Sequence, residues 1–369
     1  MNRTVHRIIP LISDTESKPT AAMRQAIANA EVGDEQRGED PTVNKLQERV
    51  ADLLGKEAAL WFPGGTMCNF VAIKMHTRPG DAIIADAMAH IIRAESAGVA
   101  FSSGVLIEPI ATERGVFTTS QLRDAVSRLQ TAPTPYGPPV RLVCVEQTHN
   151  FGGGAVWSVE ELRAVADVSR ELGLAVHMDG ARLLNASAAT GVPASAFAAM
   201  VDSVWIDFTK GLGAPIGAVL AGTAPFIAEA RRYKHMFAGA MRQAGIAAAG
   251  CLHALDHHVD RLAEDHARAR RLAEGLAGIP GIVVRTPRPE TNMVFFEVVD
   301  TGLSNAEFLD EMLRAGVRMG QVRGQIRAVT HLDVSAEDIE LALRAAEGIV
   351  KSGRRSRGGS VGGSTPTGY

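Results

Sequence analysis

Aromatic residues are scarce in this 369-residue chain, at 5%, and cysteine occurs only three times. No apolar run reaches membrane-spanning length, which excludes a transmembrane helix. Cys68, Cys144 and Cys251 are odd in number, widely scattered and outside any Cys-x-x-Cys pair, which argues against a disulfide framework. A reducing compartment is the simplest reading. The N-terminus, with Arg3, His6, Arg7 and then Pro10, lacks the continuous apolar core of a secretory signal, so a cytoplasmic location is expected. A formal charge of -3 with both signs interspersed offers no basic stripe for nucleic acid and no polybasic patch for a membrane. Anionic small molecules must therefore be held by local sites.

What is present is ordinary for a globular chain, with 46% hydrophobic and 21% charged residues, and the length favours two domains. From about Asp81 to Gly222, short apolar runs alternate with longer amphipathic ones, the pattern of a mostly parallel sheet covered by helices. Strands are expected at Ala82 to Ala85, Arg141 to Glu146, Leu174 to Met178, Ser203 to Phe208 and Gly217 to Ala221. The stretch Ser158 to Leu172 reads as a helix, with a Ser cap and Glu160 and Glu161 in its first turn. After Gly222 the Ala-rich run Arg242 to Leu276 reads as one long or kinked bridging helix. Strands at Ile282 to Val284, Met293 to Val299 and Ile326 to Val329, with helices at Asn305 to Ala315 and Ala336 to Val350, predict a small α+β domain. The expected division is a large α/β domain over 1–245, a bridging helix and small domain over 246–351, and a disordered tail over 352–369.

The most informative segment is VHMDGARLLN, where an apolar strand ends in Asp179, followed by Gly180, Ala181 and Arg182. A carboxylate at the carboxyl end of a parallel strand lies where open α/β sheets bind ligands. Alone, it is also an everyday turn aspartate closing a strand. The second segment, VWIDFTKGLGAP, ends another strand in Thr209, Lys210 and a glycine-rich turn, where small residues let a flat ring approach a lysine able to form a Schiff base. Alone, that is an exposed loop lysine. Together they suit pyridoxal 5'-phosphate, which needs a carboxylate at its ring nitrogen and a lysine at its aldehyde. Its phosphate needs a glycine-rich helix start, and FPGGTMCNFVAIKM supplies Gly64, Gly65 and Thr66. That run is not a nucleotide-binding Walker A loop, since no Gly-Lys-Ser/Thr follows.

With these segments the chain resembles the low-specificity L-threonine aldolases of the β-eliminating lyase family, over about Ile12 to Ala346. Matching runs include SDTESKPT, VGDEQRGEDPTVNKLQ, PGGTMCN, DAMAHIIRAESAG, EQTHNFGGG, HMDGARLLNAS, MFAGAMRQAG, PETNMVFFEV and IRAVTHLDVS. The resemblance implies an α/β fold of the PLP-dependent transferase-like class, the aspartate aminotransferase fold type I, with a large mostly parallel-sheet domain and a small α+β C-terminal domain. It implies a carbon–carbon lyase that cleaves a β-hydroxy-α-amino acid such as L-threonine, L-allo-threonine or phenylserine to glycine and an aldehyde. It also implies a homotetramer, a dimer of dimers with shared active sites. By this resemblance Lys210 holds the cofactor, Asp179 pairs with the ring nitrogen, Arg182 lies near the ring hydroxyl, and His90 stacks on the ring. Gly65 and Thr66 bind the phosphate with Arg242 of a neighbouring chain. Ser13 and Arg327 take the substrate carboxylate, and His149 lies near the β-hydroxyl. The base is left open among His149, His90 and an ordered water. His253, His257, His258 and His266 are expected at the surface or an interface, and no ligand cluster calls for a metal.

Two positions depart from the family pattern. Arg37 stands where an aromatic residue, usually tyrosine, precedes the run Gly38, Glu39, Asp40, Pro41, so it either meets the substrate or forms an inter-subunit salt bridge. Phe151 follows Thr148, His149 and Asn150 where many relatives carry arginine. Another reaction on the same cofactor, such as β-elimination or transamination, and a non-catalytic binder are the competing readings.

Overall fold

The computed structural model describes residues 7–131 and 135–358. The chain divides into two compact units, residues 17–264 and residues 1–16 with 265–369. The division falls at Glu264 rather than at 245, and the segment up to Glu16 belongs with the C-terminal body. The physical reason is burial: Ile9 and Leu11 pack into the same apolar cluster as Leu272, Leu276, Val294, Phe296, Phe308 and Met312.

The larger unit is built on a seven-stranded sheet, in spatial order Ala58–Phe62, Ala218–Gly222, Ser203–Asp207, Ala175–Gly180, Val140–Glu146, Ala82–Asp86 and Leu106–Ile110. Only Ala218–Gly222 runs antiparallel to its neighbours. The central strands are buried on both faces, which explains their continuous apolar runs. Two strands escape the sequence reading. Leu106–Ile110 is a half-exposed edge carrying Pro109, a residue tolerated only where a ladder partner is missing. Ala58–Phe62 is a short apolar run whose period does not separate strand from helix.

The expected bridging helix is two helices, Gly245–His257 and Leu262–Ala277. At the break His258 is buried, with its Nδ1 bonded 2.7 Å from the carbonyl of Leu212. His258 and His266 are therefore interior residues, which corrects the surface expectation, and burial lowers the His266 pKa to about 4.

The smaller unit carries a four-stranded antiparallel sheet ordered Gly320–Val322, Gln325–Val329, Met293–Val298 and Ile282–Val284, with the helices Asn305–Arg314 and Ala336–Gly358. That last helix continues through the first seven residues of the expected tail, because Ser352 to Gly358 keep helical backbone bonding. The remainder of the tail lies outside the described residues.

Candidate active site

Asp179 and Lys210 come from adjacent parallel strands of the larger unit. Asp179 lies within Ala175–Gly180, in register with Trp205 of Ser203–Asp207, and Lys210 lies three residues beyond that second strand. Such strand ends are where open α/β sheets collect functional groups. The Nζ of Lys210 is 5.7 Å from the centroid of the Trp205 ring and 3.0 Å from Oδ2 of Asp207, and the lysine side chain keeps 14% of its surface exposed. The Oγ of Ser17 donates to the Lys210 carbonyl at 2.5 Å, fixing the turn that carries the amine.

Asp179 is buried. Its Oδ1 accepts from the N–H of Ala181 at 3.1 Å and its Oδ2 from Nδ2 of Asn69 at 2.9 Å. Burial, reinforced by the nearby charge of Glu146, raises its pKa to about 6, while His90, Lys210 and the Asn69 hydrogen bond hold it from rising further. At neutral pH it remains an anion, suited to keeping a ring nitrogen protonated.

His90 is half-buried, its side chain 30% exposed. Its Nδ1 is 2.8 Å from Oε1 of Glu95, and its backbone N–H donates to Oε2 of Glu146 at 2.8 Å. Burial disfavours the imidazolium, but the Glu95 hydrogen bond and the charges of Asp179 and Glu146 outweigh it and raise the His90 pKa. Donor atoms of His90, Glu95 and Asp179 lie within 4.8 Å of one another, a grouping of acid and imidazole atoms that the sequence does not reveal. The Asn69 amide stands between the two carboxylates, giving one N–H to each.

His149 is placed differently. It is 1% exposed, its Nδ1 accepts from the N–H of Gly152 at 3.0 Å, and its Nε2 is 3.2 Å from Oδ1 of Asp86. Burial opposes its cation, while Glu146 and Asp86 favour it and raise its pKa. An Nδ1 that receives an N–H carries no proton, so the bonded tautomer has its hydrogen on Nε2, toward Asp86.

The helix Gly65–His76 begins at Gly64, whose glycine offers no side-chain cap, so the first-turn N–H groups are left for an anion. A Cβ on Gly65 would lie 2.2 Å from the Trp205 ring, so only glycine admits that approach. Beside this helix start is a cleft of about 440 Å³ lined by Gly64, Gly65, Thr66, Met67, Phe70 and Phe101 among others. An anion cradle, a buried acid and a primary amine are the groups pyridoxal 5'-phosphate requires, and the three fit it. Arg182 is buried, with Nη1 at 3.5 Å from Oδ1 of Asn150.

Arg242 and Arg37 meet at one carboxylate. Arg242 Nη1 is 2.9 Å and Arg37 Nε 3.7 Å from Oδ2 of Asp34, with side chains 61% and 72% exposed. Arg37 thus has an ion pair within its own chain, a partner that the sequence reading had sought in another subunit. In the smaller unit, Arg327 Nη2 donates to the carbonyl of Ile12 at 3.1 Å, which brings it beside Ser13, whose Oγ accepts from the hydroxyl of Thr15 at 2.9 Å.

The beta-eliminating lyase family model matches residues 10–300. The chain is 38% identical to low-specificity L-threonine aldolase 1 of Arabidopsis thaliana, over 92% of this chain and 95% of that protein. It is also 38% identical to the low specificity L-threonine aldolase of Escherichia coli K12, over 90% of this chain and 96% of that protein. Among solved structures, threonine aldolase of Leishmania major superposes with a TM-score of 0.79 at 21% identity, covering 92% of this chain and 99% of that chain. A serine palmitoyltransferase of Sphingomonas wittichii superposes at 0.71 with 18% identity, covering 94% and 88%. The fold is the aspartate aminotransferase fold type I.

Proposed function

The chain belongs to the β-eliminating lyase family, and from that premise we propose that it is a pyridoxal 5'-phosphate-dependent aldolase that splits a β-hydroxy-α-amino acid of the L-threonine type into glycine and an aldehyde. The observation that carries this reading is the buried anion of Asp179, in register with Trp205, and the amine of Lys210, 5.7 Å from the Trp205 ring, at neighbouring strand ends. When bound, the cofactor supplies an electron sink for the charge left on Cα.

The residues of the chain do the rest. Lys210 would hold the cofactor through its amine, which lies 3.0 Å from Oδ2 of Asp207. Asp179 would keep the ring nitrogen protonated, Arg182 would face the ring hydroxyl, and the N–H groups at Gly65 and Thr66 would take the phosphate. Ser13 and Arg327 are assigned to the substrate carboxylate, for which a planar two-pronged cation is well shaped. Fixing that carboxylate selects which bond at Cα breaks. His90 would stack on the ring and accept the β-hydroxyl proton at Nε2; its partial exposure, and the engagement of Nδ1 by Glu95, support it over His149, which is 1% exposed with Nδ1 taken by the Gly152 N–H. His149 then acts from behind, shaping the wall near the β-hydroxyl. Arg37 is assigned to the substrate as well, its side chain 72% exposed and its Nε 3.7 Å from Oδ2 of Asp34.

A homotetramer, with Arg242 of a neighbouring copy completing the phosphate site, is supported by the exposure of that guanidinium. A cytoplasmic location is supported by three free, buried cysteines. The test is product stoichiometry with threonine, allo-threonine, phenylserine and 3-hydroxyaspartate. Glycine and aldehyde in equal amounts are expected; a keto acid as the main product would replace this reading with transamination or β-elimination.

A further inference from the structure

We propose that Asn69 is a positioning residue for this reaction: its carboxamide donates to Asp179 and Glu95 at once, locking the acid that serves the ring nitrogen to the acid that orients His90. The proposal rests on the cofactor reading above and adds a residue to it.

Asn69 lies on the helix Gly65–His76, one turn beyond the phosphate cradle, and is fully buried. All four of its hydrogen-bonding positions are used. Nδ2 donates to Oε1 of Glu95 at 2.7 Å and to Oδ2 of Asp179 at 2.9 Å, while Oδ1 faces Nε1 of Trp205 at 2.7 Å and Nε2 of His177 at 3.2 Å. The orientation of the amide is forced. An indole N–H can only donate, so Oδ1 must face Trp205 and the two hydrogens must face the acids.

Behind Asn69 the chain of donors runs one way. Burial pushes the pKa of His177 down to about 3 and that of His76 to about 4, so both rings are neutral at physiological pH. His177 Nε2–H then points at Asn69, its Nδ1 accepts from the hydroxyl of Ser203 at 2.8 Å, and that oxygen accepts from Nε2–H of His76 at 2.8 Å. A relay polarised in one direction strengthens its terminal donors, and these terminate on the two carboxylates. The other groups facing Asp179 are Glu146 from the adjacent strand, His90, and Lys210. Asn69 is the neutral member of that group, and its two N–H donors bridge Glu95 and Asp179 beside His90 and Lys210.

The experiment follows the Asp179 carboxyl by carbon-13 NMR in the labelled apoprotein, with the signal assigned by its loss in Asp179→Asn. Asn69→Ala removes both donors, and Asn69→Asp keeps the shape while replacing them. His177→Leu removes only the donor to the acceptor side of Asn69 and is the control. Either Asn69 variant should raise the Asp179 midpoint by about one pH unit or more, the size of one charge-assisted hydrogen bond, and the control should move it much less. Titration of the same apoproteins with pyridoxal 5'-phosphate should show affinity at least about tenfold weaker in the Asn69 variants, with the acid limb displaced upward by the same amount. A folded Asn69→Asp variant with an unmoved midpoint overturns the role of Asn69. Wild-type apoprotein that does not bind the cofactor overturns the reading beneath it.

Discussion

His149 stands so close to Gly115 that a Cβ there would lie 2.0 Å from Cγ of the imidazole. Gly115 also has a φ of +84°, so alanine at this position meets both a clash and a strained backbone. Gly152 borders the same ring, 3.0 Å from Nδ1. Two glycines therefore make the niche, and the niche makes His149 inaccessible. Gly115→Ala should destabilise the protein by roughly 2–4 kcal/mol, combining overpacking with a left-handed backbone. Urea denaturation measures it. Wild-type stability in this variant would mean that His149 moves freely, and would restore it as a candidate base.

A second prediction concerns acid. The pKa of Asp179 rises to about 6 in the folded protein from an ordinary 3.8, so between those values the native state binds more protons than the unfolded state. Stability from this group is then greatest below about pH 4 and declines as pH climbs to about 6. Asp179→Asn removes that component. The difference in unfolding free energy between variant and wild-type apoprotein should shift in favour of the variant by on the order of 1–3 kcal/mol from pH 4 to pH 7. A difference that stays flat across this range would show that the carboxyl is not desolvated. The variant should also lose turnover, since stability and the electron sink make opposite demands on this side chain.

The sequence makes some of this legible and hides the rest for physical reasons. Asp179 and Lys210 stand out because each follows a continuous apolar run that ends abruptly in a polar, glycine-containing turn. Asn69 sits inside the quoted run PGGTMCN but reads as one more helical residue, because its partners are 26 and 110 positions away. Glu95, Glu146 and Trp205 are silent for the same reason: contact across a sheet leaves no spacing in the chain. The break between Gly245–His257 and Leu262–Ala277 lacks a proline or glycine to mark it; its visible cause, the bond from His258 to the carbonyl of Leu212, is tertiary. Arg37 was legible as unusual, but its approach to Asp34 of the same run depends on the tight turn over Glu35–Arg37.

Glu35 and Lys234 form a buried ion pair at 2.6 Å. Burial lowers the lysine pKa and Glu35 opposes that shift. The pair holds two loops together, since the Glu35 N–H donates to the Arg242 carbonyl at 2.8 Å and Met241 N–H donates to Oε2 of Glu35 at 3.2 Å. Glu35→Ala strands a buried ammonium over the Trp61 and Phe62 rings and should cost about 3–5 kcal/mol. The double variant Glu35→Gln with Lys234→Met should cost less than the single one, because no charge is left alone. If Glu35→Ala unfolds at the wild-type temperature, the pair is not desolvated. Cofactor affinity should fall with stability, since the Met241 N–H next to Arg242 loses the carboxylate that holds it.

Arg327 gives the last prediction. Its guanidinium is anchored through Nη2 to the carbonyl of Ile12, and the segment bearing Ser13 is itself pinned by buried Asp14, which accepts from Nδ2 of Asn292 at 3.1 Å. The strand Gln325–Val329 therefore presents a cation whose position is set by the backbone that carries the serine. If this pair binds the substrate carboxylate, Arg327→Lys keeps the charge but loses the fork. Exchanging a two-pronged contact for one hydrogen bond costs about 1.5–3 kcal/mol, which corresponds to a KM for threonine roughly 10- to 100-fold higher. Bond selection at Cα depends on the same contact, so the variant should also yield more keto acid per glycine released. A KM unchanged in Arg327→Lys, with the same product ratio, would remove Arg327 from the substrate site and leave it as a tether for the N-terminal segment.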